Sequence, residues 1–251
     1  MDLEEPRAWI GAARTVVVFS GAGVSAESGV PTFRGEQGLW RSYRAEDLAT
    51  PAAFRRDPRL VWEWYAWRRG LLAACAPNAA HQAIAEAQLM RNGVHVVTQN
   101  VDGLHERALR ARGGVPGLER SILALHGSIA HSRCSTCSYR ELDEHPVDAS
   151  ALERLPRCPR CGALLRPDVV WFGERLDART LDHSFDLAAG ADVCLVVGTS
   201  GLVEPAASVP RITAGAGGRV LVLGPEETAL DGLADRVLRG RATELVPALF
   251  G

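Results

Sequence analysis

No apolar run in the 251-residue sequence approaches the 18 residues of a membrane-crossing helix. The acidic opening Met1-Asp-Leu-Glu-Glu-Pro6 also lacks the basic start and apolar stretch of a secretory signal. A cytoplasmic protein with no membrane partner is the expectation. Basic excess is missing too: the formal net charge is −2, which removes the electrostatic reason for a direct nucleic-acid partner. There are no internal repeats and no low-complexity tract beyond a short Gly/Ala-rich turn at 214–218. Cysteines number only six. Two of them, Cys75 and Cys194, stand alone in apolar surroundings and read as small core residues.

What the chain does have is enough apolar content, 47%, to bury a full core. Its organising stretch is 15–34. Residues 15–19 are a charge-free, β-branched run, the mark of a strand covered on both faces of a parallel sheet, and they should form the central strand. Gly21-x-Gly23-x-x-Ala26 follows at once, the order of strand, glycine turn and helix start that suits a pyrophosphate. Pro31 comes too soon for a long helix, so 31–38 is a loop carrying Phe33 and Arg34. On these residues alone, an ordinary nucleotide-binding turn with a long insertion fits as well.

A lead-in helix is expected over 2–13, with Trp9 and Ile10 on its apolar side. Residues 35–92 show helical spacing broken by proline at 51, 58 and 77, which predicts several short helices inserted between the first two strands. One of them holds three tryptophans, a pattern that suits packing, but Tyr65 and Arg68 are three apart and share a side, where a phenol and a guanidinium can grip a carboxylate. Further strands are expected at 94–98, 122–125, 193–197, 220–223 and 236–238, with helices near 104–110, 178–189 and from 242. Polar residues cluster just past several of these strands, at Gln99, Asn100 and Asp102, at His126, and at Thr199 and Ser200, where open α/β sheets bind ligands. Asn100 and Asp102 fit helix caps equally well, and a lone His126 fits a structural role.

Cys134-x-x-Cys137 and Cys158-x-x-Cys161 have the spacing of a tetrahedral Zn²⁺ site of four thiolates. A full shell leaves no position for water, so this metal is expected to staple a subdomain rather than to catalyse. Disulfide pairing is the alternative, disfavoured where thiols stay reduced.

Taken in order, the stretch 15–34, Thr98-Gln-Asn-Val-Asp-Gly-Leu-His105, Leu125-His126-Gly127, the cysteine pairs, Val170-Trp-Phe-Gly-Glu174 and Gly198-Thr-Ser200 closely resemble the motifs of the sirtuins, the NAD-dependent protein-lysine deacylases. The resemblance covers about 14–250. It implies an α/β fold: a Rossmann-like parallel sheet with helices on both faces (1–34, 91–127 and 166–251) plus a smaller subdomain, helical over 35–90 and zinc-binding over 128–165. It further implies NAD as co-substrate, one structural Zn²⁺, acylated lysine proteins or peptides as partners, and a monomer. Nicotinamide, free lysine and O-acyl-ADP-ribose would be the products.

Residue by residue, the resemblance assigns NAD contacts to Gly21, Ala22, Gly23, Ala26 and Glu27, to Thr32, Phe33, Arg34 and Trp40 of the loop, and to Gln99, Asn100, Val101 and Asp102. Gly198, Thr199, Ser200, Gly224, Pro225, Glu226 and Ala242 would complete the adenosine side, although relatives commonly carry Asn where this chain has Gly224-Pro225-Glu226. His126 would be the general base, with Asn100 beside it in the catalytic set, and Val170, Trp171, Phe172 and Gly173 would pair with an extended peptide. Tyr65 and Arg68, with the small Ala49, resemble the branch that removes succinyl and malonyl groups. A non-catalytic NAD-sensing module, and an NAD glycohydrolase or ADP-ribosyltransferase, are the competing readings.

Overall fold

Val16–Ser20 forms β1, and all five of its side chains are buried. Val16 and Val18 pack into one core and Val17 and Phe19 into another, because successive side chains of a strand point to opposite faces. The chain's structure is a computed structural model that describes residues 2–30, 43–114, 117–143 and 145–251. The lead-in helix α1 is Glu4–Ala12, with Ile10 buried. After β1 come α2 (Gly23–Ala26), α3 (Ala45–Leu48), α4 (Pro51–Arg56), α5 (Pro58–Ala74), α6 (Ala79–Met90), β2 (Val94–Thr98) and α7 (Leu104–Ala111). Then follow β3 (Ile122–Ala124), β4 (Gly127–Cys134), β5 (Arg140–Leu142), β6 (Leu165–Val169), α8 (Ala178–Ala189), β7 (Val193–Val197), α9 (Ser208–Gly215), β8 (Arg219–Leu223), β9 (Arg236–Leu238) and α10 (Ala242–Phe250). Among the described residues no helix is long and apolar enough to cross a membrane.

Six strands make a parallel sheet in the order β3-β2-β1-β7-β8-β9, so β1 is central as expected. Its register aligns Ser20 with Thr98 on one side and with Val197 on the other, and Thr98 with Ala124 and Val197 with Leu223. The next residues, Gly21, Gln99, Leu125, Gly198 and Gly224, therefore lie along one carboxyl edge. The strand order reverses between β1 and β7, and a crevice opens at such a point in open α/β sheets.

The small subdomain differs from expectation in two respects. The prolines at 51 and 58 start helices rather than break them: each sits in the first turn, behind the caps Thr50 and Asp57. The insertion consequently contains a 17-residue α5 and a 12-residue α6 instead of short pieces only. Residues 165–169, expected where the chain rejoins the large sheet, instead pair antiparallel with β4 in a second sheet of order β5-β4-β6. Trp62 and Trp64 are fully buried packing residues, and the Trp62 indole donates to the Leu165 carbonyl at 2.9 Å.

Arg69 ties α5 to that second sheet. Its guanidinium donates to the Ile129 carbonyl at 2.8 Å, to Asp143 at 3.1 Å and to the Ser132 hydroxyl at 3.3 Å. Arg69→Met is expected to destabilise the fold by about 3 kcal/mol in chemical denaturation, since Asp143 and these carbonyls lose their donor in a largely buried place. A midpoint equal to wild type would show that Arg69 does not join the two elements.

Candidate active site and metal centre

The floor of the crevice is made by two turns in contact. Gly21 N–H donates to the Val197 carbonyl at 3.0 Å and Gly23 N–H to that of Gly198 at 2.8 Å. A Cβ on Gly23 would sit 2.7 Å from the Gly198 Cα, and one on Gly198, whose φ is +61°, would sit 2.3 Å from the Val24 nitrogen. These glycines are thus required by the meeting of the turns, and the amides of Gly21 and Gly23 are already bonded within the protein. Ala22 lines the cavity above. Ala26 ends α2, and the next residue, Glu27, accepts the Thr243 hydroxyl at 2.7 Å, which joins this turn to the start of α10 beside the buried Ala242.

That cavity, about 130 Å³, is lined by Ala22, Val30, Arg68, Leu71 and Leu72 and by the run 99–102. Asn100 does not cap a helix: its side-chain amide donates to the Gly21 carbonyl at 3.1 Å and to the Ser25 hydroxyl at 3.2 Å. Asp102 accepts the Leu104 N–H at 2.9 Å at the head of α7, as a cap would, and also the Ser25 hydroxyl at 2.8 Å. Burial pushes the Asp102 carboxyl above its usual range, against the downward pull of the Leu104 amide, Ser25, Arg68 and Arg107. Val101 lines the cavity beside it, and its carbonyl accepts the Ile129 amide at 2.9 Å.

Three polar residues beneath this wall escaped the sequence reading. Ser25 bonds both Asn100 and Asp102, and the His81 Nε2 approaches its hydroxyl at 3.4 Å. His105 packs on His81 with ring centres 4.8 Å apart and bonds Ser20 at 3.0 Å. Burial holds His81 at a pKa of about 4 and His105 well below the usual imidazole value, so both are neutral. His81 is one of several polar residues of α6, and nothing local marks it as the partner of a serine fifty-six residues away.

His126 stands at the same edge, past β3. Its Nδ1 lies 2.8 Å from the Gln99 carbonyl oxygen, which can only accept, so Nδ1 carries the proton and Nε2 keeps its lone pair. Burial lowers the His126 pKa below 6.5, and the Gln99 bond offsets part of that shift. The Gln99 side chain donates to the Thr199 hydroxyl at 2.8 Å, bridging the edges of β2 and β7. On the adenosine side expected from the sequence, the Ser200 carbonyl accepts the Ala229 amide at 3.0 Å and the Glu226 carbonyl accepts Arg239 at 2.8 Å. Gly224, Pro225 and Glu226 follow β8 directly on the shared edge.

Val170 N–H donates to the His126 carbonyl at 2.9 Å, bringing the 170–173 segment against the histidine. Ala49 reaches the same segment, its carbonyl accepting the Phe172 N–H at 2.9 Å. Phe172 is exposed, the left-handed Gly173 follows, and Trp171 is buried. Tyr65 and Arg68 lie one turn apart on α5 but in different surroundings. Arg68 lines the cavity with its guanidinium carbon 4.8 Å from the Trp64 ring centre, whereas Tyr65 is fully buried and accepts the Trp171 indole N–H at 3.0 Å. Thr32, Phe33, Arg34 and Trp40 lie outside the described residues.

The four paired cysteines converge beyond the second sheet. Their sulfurs lie within 4.8 Å of one another, with Cys134–Cys161 at 3.5 Å, Cys137–Cys158 at 3.6 Å and Cys137–Cys161 at 3.7 Å. Zn–S bonds of about 2.3 Å arranged tetrahedrally put sulfurs about 3.8 Å apart, whereas a disulfide needs about 2.05 Å. The donor set fits one Zn²⁺ held by Cys134, Cys137, Cys158 and Cys161.

The Sir2 family pattern matches residues 21–205. The NAD-dependent protein deacylase of Thermococcus kodakarensis is 50% identical over 241 residues, covering 95% of this chain and 90% of that protein. Its counterpart in Pyrococcus furiosus is 50% identical over 235 residues, 93% of this chain and 90% of the other. Among solved structures, a Sir2 homologue in complex with NAD superposes with a TM-score of 0.89 at 45% identity, covering 100% of this chain and 93% of that one. A Sir2–p53 peptide–NAD⁺ complex gives 0.84 at 28% identity, covering 99% and 97%.

Removing the metal with a chelator is expected to unfold the second sheet and abolish activity with it, because a four-thiolate site contributes roughly 10 to 16 kcal/mol of apparent binding energy to folding. Circular dichroism and metal analysis on one sample check this. Full activity after verified zinc loss would show that the cysteines do not anchor the fold.

Proposed function

The chain belongs to the Sir2 family, and from that premise we propose that it is an NAD-dependent protein-lysine deacylase that favours acidic acyl groups such as succinyl and malonyl and also accepts acetyl. The observation that carries the catalytic reading is His126, neutral, with its Nδ1 proton fixed by Gln99 and its Nε2 lone pair left to work. Bound NAD supplies a glycosidic bond whose nicotinamide can leave and a ribose hydroxyl that can take up the acyl group. His126 Nε2 removes the proton from that hydroxyl. Asn100 and Asp102, held in place by Ser25, order the carboxamide end of the cofactor in the cavity. A protein that merely sensed NAD would have no need of such a base.

Exposed apolar side chains at Phe172, Leu202 and Val203 support an extended peptide laid between 170–173 and 201–204, read mostly through its backbone. The enzyme does not supply that peptide itself. The chain contains no lysine, all 28 of its basic side chains being arginine, so none of its own side chains competes with an added acyl-lysine substrate.

Because the base must be unprotonated and its pKa is lowered by burial, kcat/KM should fall as pH drops along an acid limb centred below the ordinary imidazole value. His126→Ala should remove that acid limb and slow deacylation by about 10²- to 10⁴-fold. It should still exchange labelled nicotinamide into NAD when acyl peptide is present, since the base acts after nicotinamide leaves. Near wild-type deacylation by this variant would take His126 out of the mechanism.

The acyl preference rests on Arg68 at the cavity wall, whose charge is one that an incoming carboxylate needs. A charge-assisted hydrogen bond is worth roughly 1.5 to 3 kcal/mol, so Arg68→Met should lower the ratio of kcat/KM for succinyl-lysine over acetyl-lysine by about one to two orders of magnitude. Equal losses on both versions of one peptide would remove Arg68 from acyl selection.

A further inference from the structure

Trp171 sits in the segment assigned to peptide binding, yet its side chain turns inward and is 2% exposed. Contacts fix the indole on several sides. The Phe54 ring centre is 5.4 Å away, the Arg166 guanidinium carbon lies 3.3 Å from the Trp171 ring centre, and Glu174 accepts the Trp171 backbone N–H at 2.9 Å. Arg166 is in turn paired with both Glu174 oxygens, at 2.6 and 2.8 Å. What this held ring presents is its one polar atom, the indole N–H, to the Tyr65 hydroxyl at 3.0 Å.

We propose that Trp171 is a positioning residue for acyl selection: by holding the Tyr65 hydroxyl, it sets the phenol against Arg68 at the cavity wall in the orientation that recognises a carboxylate. The inference rests on the acidic-acyl reading of Tyr65 and Arg68. Its chemistry is that of donors and acceptors. An indole N–H and a guanidinium can only donate, and a phenol oxygen can accept two bonds and donate one. The Arg68 guanidinium carbon lies 5.4 Å from the centre of the same phenol ring. With the Trp171 indole donating to Tyr65, the phenol proton must point away from it, and the guanidinium beside the ring, itself only a donor, cannot accept that proton. Tyr65 is thereby set as a donor, which is what a carboxylate requires. Phenylalanine at 171 would keep the aromatic packing and lose this constraint.

The test measures kcat/KM for succinyl-lysine and acetyl-lysine versions of one peptide on the same sample, so that the ratio does not depend on how much of a variant is folded. Trp171→Phe is expected to lower the succinyl-to-acetyl ratio about three- to tenfold, the range of one ordinary hydrogen bond, chiefly through KM for the succinyl peptide. In a Tyr65→Phe background the same substitution should lower it no further, because Trp171 acts through the phenol. An unchanged ratio in Trp171→Phe, or an equal drop in both backgrounds, overturns the proposal. Arg68→Met separates the two failures. If it leaves the ratio intact, the acidic-acyl reading falls and this role with it; if it collapses the ratio while Trp171→Phe does not, only the role of Trp171 is lost.

Discussion

Two turns at the middle of the large sheet can touch because neither has a side chain at the point of contact. Gly23 and Gly198 pack backbone to backbone, and any Cβ there would fall at 2.7 Å or less from main-chain atoms. That closeness lets the Gly23 amide reach the Gly198 carbonyl, and it locks the carboxyl ends of β1 and β7 together where the strand order reverses. The rest of the site is hung from this joint. Asn100 reads the Gly21 carbonyl, Gln99 reaches across to Thr199, and the Gln99 carbonyl sets the tautomer of His126.

A second chain of contacts connects the site to the cysteine cluster. β4 leaves His126 and runs eight residues to Cys134, a span of roughly 25 Å in extended backbone. β6 starts opposite Cys134 and ends at Val169, immediately before the residue whose amide bonds the His126 carbonyl. The cysteine cluster thus sits at one end of a strand pair and His126 at the other, so whatever holds the cluster together also holds the strands that bracket the histidine. Arg133, Arg140 and Arg166 face Asp168 and Glu174 along the same pair, at 3.9 Å or less for each bridge. Arginine suits such packed, many-partnered places because its planar fork meets two acceptors at once.

Much of this was legible from local patterns. The apolar runs at 15–19, 94–98, 193–197 and 220–223 reappear as buried parallel strands within a residue or so, since a strand covered on both faces has little choice but to be continuously apolar. The cysteine spacing announced the thiolate cluster, because two tight knuckles are what a tetrahedron requires of a chain. Periodicity misread the prolines at 51 and 58 as breaks, although the capping residues Thr50 and Asp57 just before them mark helix starts. It also missed the second sheet, whose strands alternate irregularly and pair across thirty residues of chain.

By itself the sequence determined which residue types stand at the strand ends and in what order, and these are properties of short segments read one at a time. Tertiary structure alone decided which of them meet: that Ser25, His81 and His105 form one buried polar group beneath Asn100 and Asp102, that Glu27 bonds Thr243, and that Tyr65 faces Trp171 while Arg68 faces the cavity. The physical reason is that helical spacing shows that two side chains share a face of α5, but not what packs on that face. What packs there is the segment at Trp171, more than a hundred residues along the chain, carried into place by a sheet whose strands were invisible to periodicity.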